Sequence, residues 1–359
     1  MNTSESRSSA PGRNRVIIVG AGIVGAVAAH SLAQAGHDVV VLDAGRPGHG
    51  TTAASFAWVG VAKSPAGSQR SPLRSRARAD FAALLAELPS AANTVGHRAS
   101  GAISWEETDA LTREFVAAHV AAGNPMRLIT GAAARELEPT LREAPEVVAY
   151  APDDAGVDPV ALTEALLSSA RRHGAEVRPD TAVTALVVEH GRVTCVATAD
   201  GRMAGASVVL AAGTGSSALA AAAGVSIDLV PAPCALLRFS TPRPIIRGIV
   251  STPELEIRQL DDTTLLAAED VPAGFSGDPA MLAPPALAAI RANFDGAGDI
   301  RLDGAVIADR PMPSTGEPLV GPAPELPGLY LAVAHPGVIL SGAIGRRIAE
   351  DHARLLPFA

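Results

Sequence analysis

Arg15-Val16-Ile17-Ile18-Val19-Gly20-Ala21-Gly22-Ile23-Val24-Gly25, followed further on by Val39-Val40-Val41-Leu42-Asp43, is the stretch that decides the fold. Arg15 to Val19 is a short β-branched run without alternation, the pattern of a strand covered on both faces. Gly20 to Gly25 has the form G-x-G-x-x-G. Ile23 to Ala35 reads as a helix ending at Gly36, and Val39 to Leu42 as a second buried strand that ends in an acid. Strand, glycine turn, helix, strand and acid in that order form a dinucleotide-binding βαβ unit.

Each position has a physical task. Gly20 permits the tight turn, Gly22 lets backbone approach a diphosphate, and Gly25 lets the helix lie close on the strand. The helix N-terminus presents free N–H groups and roughly half a positive charge to that diphosphate. Asp43 can accept hydrogen bonds from ribose hydroxyls and would repel a 2′-phosphate, which argues against NADP. The fingerprint alone does not decide between FAD and NAD.

Working outward, the 359 residues suffice for two domains, or for one large domain with an insertion. Apolar residues make up 48% and charged residues 18%, a globular balance with a sizeable core. Aromatic residues are only 3%, so Ala, Val and Leu must fill that core. A net charge of −8 argues against nucleic acid as the main partner. The Ser-rich start has no apolar core and is not a signal peptide; residues 1–14 read as a disordered tail. The longest apolar stretch, Val16 to Ala29, is broken by glycines and is no membrane span. Cys195 and Cys234 fit no metal or redox spacing and read as buried inert thiols, in keeping with a cytoplasmic protein.

Further elements follow from local pattern. Pro72 to Leu88 reads as an amphipathic helix; Arg70, Arg74, Arg76 and Arg78 form a basic stretch that reads as a solvated face, with a partner or substrate-entry patch as the alternative. A helix is expected around Asp109 to Ala122. Asp158-Pro159 starts another, with Asp at the N-cap and Pro at N1, and it stops at Gly174. Val183 to Val188 and Arg192 to Thr198 form a hairpin around His190-Gly191. Ala206 to Ala212 and Leu329 to Val333 are buried strands. Cys234 to Phe239 and Thr263 to Ala267 alternate as strands, and a last helix runs from about Gly342 to Leu355. Trp105 and Tyr150 are taken as core. Lys63 and His49 lie near the glycine-rich loops without further signal. No metal-ligand cluster, Ser-His-Asp arrangement or telling carboxylate pair is evident.

Four blocks accompany the fingerprint. Gly50-Thr51-Thr52-Ala53-Ala54-Ser55-Phe56-Ala57-Trp58 is a small-residue loop after the acid. Asp154-Ala155-Gly156-Val157-Asp158-Pro159 leads into a helix. Thr181 to Gly213 contains Val183 and ends in Val208-Val209-Leu210-Ala211-Ala212-Gly213. The C-terminal run holds Asp309-Arg310-Pro311, Gly316-Glu317-Pro318-Leu319-Val320-Gly321, Gly328-Leu329-Tyr330 and Ala334-His335-Pro336-Gly337-Val338. Over nearly its whole length the chain resembles the FAD-dependent D-amino-acid oxidase family, which includes glycine oxidase and sarcosine oxidase-like enzymes.

The resemblance implies an α/β architecture. A Rossmann-like FAD-binding domain of the glutathione-reductase type (residues 15–80, 150–225 and 305–359) interleaves with an α+β substrate domain on a mixed or antiparallel sheet (81–149 and 226–304). It implies non-covalent FAD. The cofactor would meet Gly20, Gly22, Ile23, Val24, Gly25, Asp43 and Ala44. The loop residues Thr51, Thr52, Ser55, Phe56 and Ala57 would lie along the pyrophosphate and under the flavin, and Val183 would touch adenine. Ala212 and Gly213 would approach the cofactor, and Gly337, Val338, Ile339 and Leu340 would pass the flavin's pyrimidine edge.

Arg310 would grip a substrate carboxylate, because a guanidinium fork pairs bidentately; a surface or ion-pair role is the alternative. Trp58 would wall the active site or fill core, and His335 would serve as a base or as structure. Pro336 and Ile339 stand where the family usually has Ser and Thr. The implied chemistry is oxidation of an amine or amino acid at its C–N bond, with hydride passing to flavin N5 and an imine formed. O₂ would reoxidise the flavin, or a quinone or partner in a dehydrogenase. A flavin-binding subunit that needs a partner for turnover is the reading of another class.

Overall fold

The computed structural model describes residues 15–62, 72–88, 95–97 and 100–356. The expected tail, Lys63 and Arg70 lie outside them.

Arg15–Val19 sits inside a six-stranded sheet. The strand order is Leu319–Pro322, Leu329–Val333, Ser207–Leu210, Arg15–Val19, Asp38–Leu42 and Glu176–Arg178. Its pairs are parallel except at the Leu319–Pro322 edge. Ile18 registers with Val209 on one side and Val41 on the other. Val16 and Ile18 pack into a helix layer built from Ile23–Gln34, Pro159–Arg172 and Ser341–Leu355. Ile17 and Val19 pack on the opposite side against Leu186, Val193 and Val196 of the antiparallel strands Val183–Glu189 and Arg192–Thr198. Both faces are covered, which is the physical reason the run shows no alternation.

Local signals place the remaining elements of this layer. Asp158 caps its helix by accepting from Val160 N at 2.9 Å and Ala161 N at 3.0 Å. His190 (φ 51°) and Gly191 (φ 73°) form the hairpin turn, which needs positive φ at both central residues.

The second sheet has eight strands: Arg301–Asp309, Pro233–Ser240, Thr264–Asp270, Glu256–Asp261, Ile249–Ser251, Ala102–Ser104, Val147–Ala151 and Arg127–Thr130. All neighbours are antiparallel except Ile249–Ser251 with Ala102–Ser104, so the sheet is mixed. Leu237 and Phe239 on one face pack against Ala286 and Ile290 of the helix Ala283–Asn293. The other face carries Leu236, Leu266 and Ala268 toward Phe56 and Trp58 of the small-residue loop. The short pair Trp58–Val59 with Ala155–Gly156 ties that loop to the chain leading into the Pro159 helix. Trp105 and Tyr150 are partly buried against this sheet's core, as read.

One element differs from its reading. Pro72 to Leu88 is two helices, Pro72–Ser75 and Ala77–Ala86, interrupted at Arg76. Arg74, on the first of them, is 13% exposed and not on a solvated face. No helix among the described residues is long and apolar enough to cross a membrane.

Candidate active site

The glycine turn, the small-residue loop and the C-terminal run converge on a cavity of about 1010 Å³ whose far wall is the eight-stranded sheet. At the turn, Gly20 has φ +103°, and any Cβ there would overlap the carbonyl of Ala211. Gly25 faces away from the cavity; a methyl on it would overlap Gly20 O, so this glycine serves helix-on-strand packing. Gly22 is the N-cap of its helix and has no capping side chain of its own. Thr52 supplies the cap from the loop, accepting from Ile23 N at 3.0 Å. Gly22, Ile23 and Val24 thus present a helix N-terminus to the cavity.

Asp43 stands at the end of its strand on the cavity edge. Its carboxylate accepts from Ala21 N at 2.6 Å and Gly45 N at 2.9 Å, which fixes it against the glycine turn. A carboxylate has about four acceptor sites, so capacity remains for ribose hydroxyls. Ala44, Thr51, Thr52, Ser55, Phe56 and Ala57 line the same cavity. So do Val183, Ala212 and Gly213, and Gly337, Val338 and Ile339. Leu340 does not: its side chain is 1% exposed and packs in the core with Ile344. A cradle of glycines and small side chains, a helix N-terminus and an acid at the strand end suit a flavin dinucleotide.

Arg310, Trp58 and His335 line the same cavity. Arg310 follows the strand Arg301–Asp309, and its Nε donates to Ala232 O at 3.0 Å. That bond aims the guanidinium while its two terminal nitrogens keep no protein hydrogen bond among the described residues. Thr51 Oγ1 donates to Asp309 O at 3.2 Å, which couples the loop to the strand that carries Arg310. Trp58 lies on the loop and donates from Nε1 to Asp154 Oδ2 at 2.8 Å.

Two residues read as bystanders are in the wall. Arg74 was expected on a solvated face. Instead its side chain is 13% exposed, and it donates to Gly316 O at 3.1 Å and His335 O at 3.3 Å, with Glu317 at 3.9 Å. Cys234, expected to be buried, is half-buried and lines the cavity; Cys195 is buried as read, and neither forms a disulfide. Glu256, Ala268 and Ala308 of the sheet also line the cavity and carried no sequence signal. Arg76 and Arg78 are at the surface, Arg78 paired with Asp153 at 2.6 Å, and His49 is exposed.

Burial sets the electrostatics. His335 is pushed down to about 4, chiefly by desolvation and then by the charges of Arg310 and Arg74. It is therefore neutral at physiological pH and adds no third positive charge. Arg258 is 2% exposed, and desolvation lowers it to about 10. Its Nε and a terminal nitrogen donate to Phe56 O and Val157 O, each at 2.7 Å, so it struts the sheet against the loop. Gly156 leaves the space for it: an added Cβ would sit 2.7 Å from that guanidinium.

The family model for FAD-dependent oxidoreductases, DAO, matches residues 15–351. The chain belongs to the DAO family of FAD-dependent oxidoreductases. It is 29% identical to a D-amino acid dehydrogenase of Cereibacter sphaeroides, with 95% of this chain and 90% of that protein covered. A glycine oxidase of Pseudomonas aeruginosa is 26% identical, with 94% of each covered. Among solved structures, glycine oxidase from Geobacillus kaustophilus superposes with a TM-score of 0.85 at 27% identity over 95% of each chain. The α/β fold and FAD as cofactor stand on this membership and on the cradle. DAO membership also explains why one cavity spans both sheets.

Proposed function

We propose that this oxidoreductase oxidises the C–N bond of an amino acid, with Arg310 holding the carboxylate. The observation that carries this reading is Arg310 in the cavity wall, aimed by Ala232 O and with its terminal nitrogens making no hydrogen bond to the protein among the described residues. A bidentate fork orients a carboxylate better than a point charge does. Bound FAD supplies the hydride acceptor.

The chain supplies orientation and dryness. Arg310 would fix the substrate's carboxylate, and the small sheet residues Ala268 and Ala308 leave room for the carbon that reacts. Trp58 walls the loop side and helps exclude water, and neutral His335 accepts or donates a hydrogen bond without repelling a cationic amine. Hydride abstraction from a held amine needs placement more than proton shuttling. In the same reading Asp43 would meet the ribose, the 51–57 loop would lie under the pyrophosphate and flavin, Val183 would touch adenine, and Gly337 to Ile339 would pass the pyrimidine edge.

A second reading concerns the acceptor. The relatives named D-amino acid dehydrogenase favour a carrier other than O₂. Two cysteines that form no disulfide favour a reducing, cytoplasmic setting.

The test is anaerobic mixing of the yellow protein with a panel of D- and L-amino acids and simple amines. Bleaching by amino acids, and much slower bleaching by amines lacking a carboxylate, is the expected result. A protein that keeps its flavin yet is bleached by none of them would end this reading. Peroxide release on admitting air assigns the acceptor as O₂; reoxidation only by a quinone assigns the dehydrogenase.

A further inference from the structure

The strut made by Arg258 leaves its charge unexplained. The residue sits on the strand Glu256–Asp261, in the sheet that closes the cavity, and is 2% exposed. Its two hydrogen bonds, to Phe56 O and Val157 O, both end on neutral carbonyls. Its guanidinium carbon lies 5.3 Å from the centre of the Phe56 ring, so it meets the loop through backbone and side chain together. Among the described residues it forms no ion pair. Asp158 and Glu256 favour its charge from farther away, and Arg238 opposes it. Gly156 keeps the guanidinium in place, since a Cβ there would fall 2.7 Å from Nη1 and 2.8 Å from Cδ.

Taking a cation out of water is costly unless a counter-ion is packed against it. Holding two carbonyls does not require the charge, because a neutral amide also carries two N–H donors. Burial lowers Arg258 to about 10, which leaves it protonated at neutral pH. Phe56 itself lines the cavity, so a fixed positive charge stands one residue behind the cavity wall. Its field reaches whatever occupies the cavity, with little screening by water. The flavin of this family gains charge when it reacts. A hydride brings two electrons and one proton to the neutral oxidised ring, which becomes an anion. A preorganised cation nearby favours that anion over the neutral ring.

We propose that Arg258 tunes the reduction potential of the flavin, its buried charge behind Phe56 favouring the reduced, anionic ring. Arg258 touches the loop and not the flavin, so it is a positioning residue that acts through the cavity wall. The proposal rests on the reading that lays the 51–57 loop under the flavin. It is independent of Arg310 and of the substrate.

The test is the two-electron midpoint potential of the flavin-loaded protein, read against a reference dye without substrate. Arg258→Gln keeps N–H donors and removes the charge. It should lower the potential by about 30 mV, a roughly tenfold shift in the two-electron equilibrium. Arg258→Lys keeps the charge and loses the planar fork. Near pH 7 it should stay close to the unaltered protein, because a lysine lowered as Arg258 is remains protonated there. A strut whose charge is idle gives the opposite order, or equal shifts in both variants. An unchanged potential in Arg258→Gln, or an equal fall in Arg258→Lys, overturns the proposal. Should Arg258→Gln fail to load flavin, Arg258→Lys decides between about pH 7 and about pH 9, where its buried ammonium loses its proton. Its potential should then fall by about 30 mV more than that of the unaltered protein, and parallel falls overturn the proposal. A flavin absorbance spectrum unchanged by Phe56→Leu would instead refute the loop placement, and the proposal with it.

Discussion

Trp58 Nε1 donates to Asp154 Oδ2 at 2.8 Å, and that carboxylate is wholly buried. Asp154 also accepts from Val61 N at 3.0 Å and Ala62 N at 3.1 Å, so it gathers the donors of the 58–62 segment onto one point. Burial pushes its carboxyl up, while the bonds from Val61, Ala62 and Trp58 and the charge of Arg78 pull it down. Gly60 has to be glycine, since a Cβ there would fall on the Asp154 carboxylate. An active-site wall is thus held by a buried acid outside the cavity.

Asp154→Asn should destabilise the flavin-loaded protein by about 2–4 kcal/mol, because its NH₂ would face backbone or indole donors and leave them unsatisfied. Trp58→Phe should cost about 1 kcal/mol, since the backbone donors still satisfy the carboxylate. Urea denaturation followed by flavin release measures both. If Asp154→Asn proved the milder of the two, Asp154 would not be the anchor described.

The glycines of the turn should separate by geometry. Gly20→Ala and Gly25→Ala force overlap with backbone carbonyls and should yield protein without flavin. Gly22→Ala meets only Thr52 Oγ1, at 3.0 Å, and should keep part of its flavin. Flavin absorbance per mole of purified, folded protein reads the order directly. Retention of full flavin by Gly25→Ala would contradict the packing account.

The turn, its helix and Asp43 were legible because their signals are local: glycine at strained or crowded points, β-branched runs, an acid at a strand end. The C-terminal run around Arg310 and His335 was legible only by resemblance. Glu256 and Cys234 were not legible, because cavity lining depends on the register of strands far apart in sequence. The burial of Arg74 was not legible because its partners Gly316 and His335 lie 242 and 261 positions away. Trp58 and Asp154 were each noticed, but nothing local joins residues 96 positions apart.

Arg310→Lys keeps a charge and loses the fork. It should raise KM for amino acids by about 10-fold or more and leave flavin content intact if Arg310 binds substrate as proposed. Arg310→Met should raise KM further, by about 100-fold, a loss of roughly 2–3 kcal/mol for a charge-assisted pair. Amines without a carboxylate should respond to neither change. Steady-state kinetics with matched pairs, such as an amino acid and its decarboxylated amine, gives the answer. Equal losses for both members would remove Arg310 from carboxylate binding.

Glu269 gives a pH prediction outside the cavity wall. It lies on Thr264–Asp270, and its Oε1 is buried without a hydrogen-bond partner among the described residues. Desolvation first, then the charges of Asp270 and Glu256, raise its carboxyl from 4.5 to about 7. The folded chain therefore holds a proton there that the unfolded chain has lost between those two values. Stability falls as pH rises through that window, since the native state binds more protons than the unfolded one. Glu269→Gln mimics the protonated acid and removes the penalty. The full shift would correspond to about 3 kcal/mol, which partial exposure reduces to roughly 1–2 kcal/mol. For a chain of this size that is a Tm rise of about 2–4 °C near pH 8 and almost none near pH 4. Thermal melts of the flavin-loaded protein and variant at both pH values measure it, and a gain equal at both would show that Glu269 titrates normally.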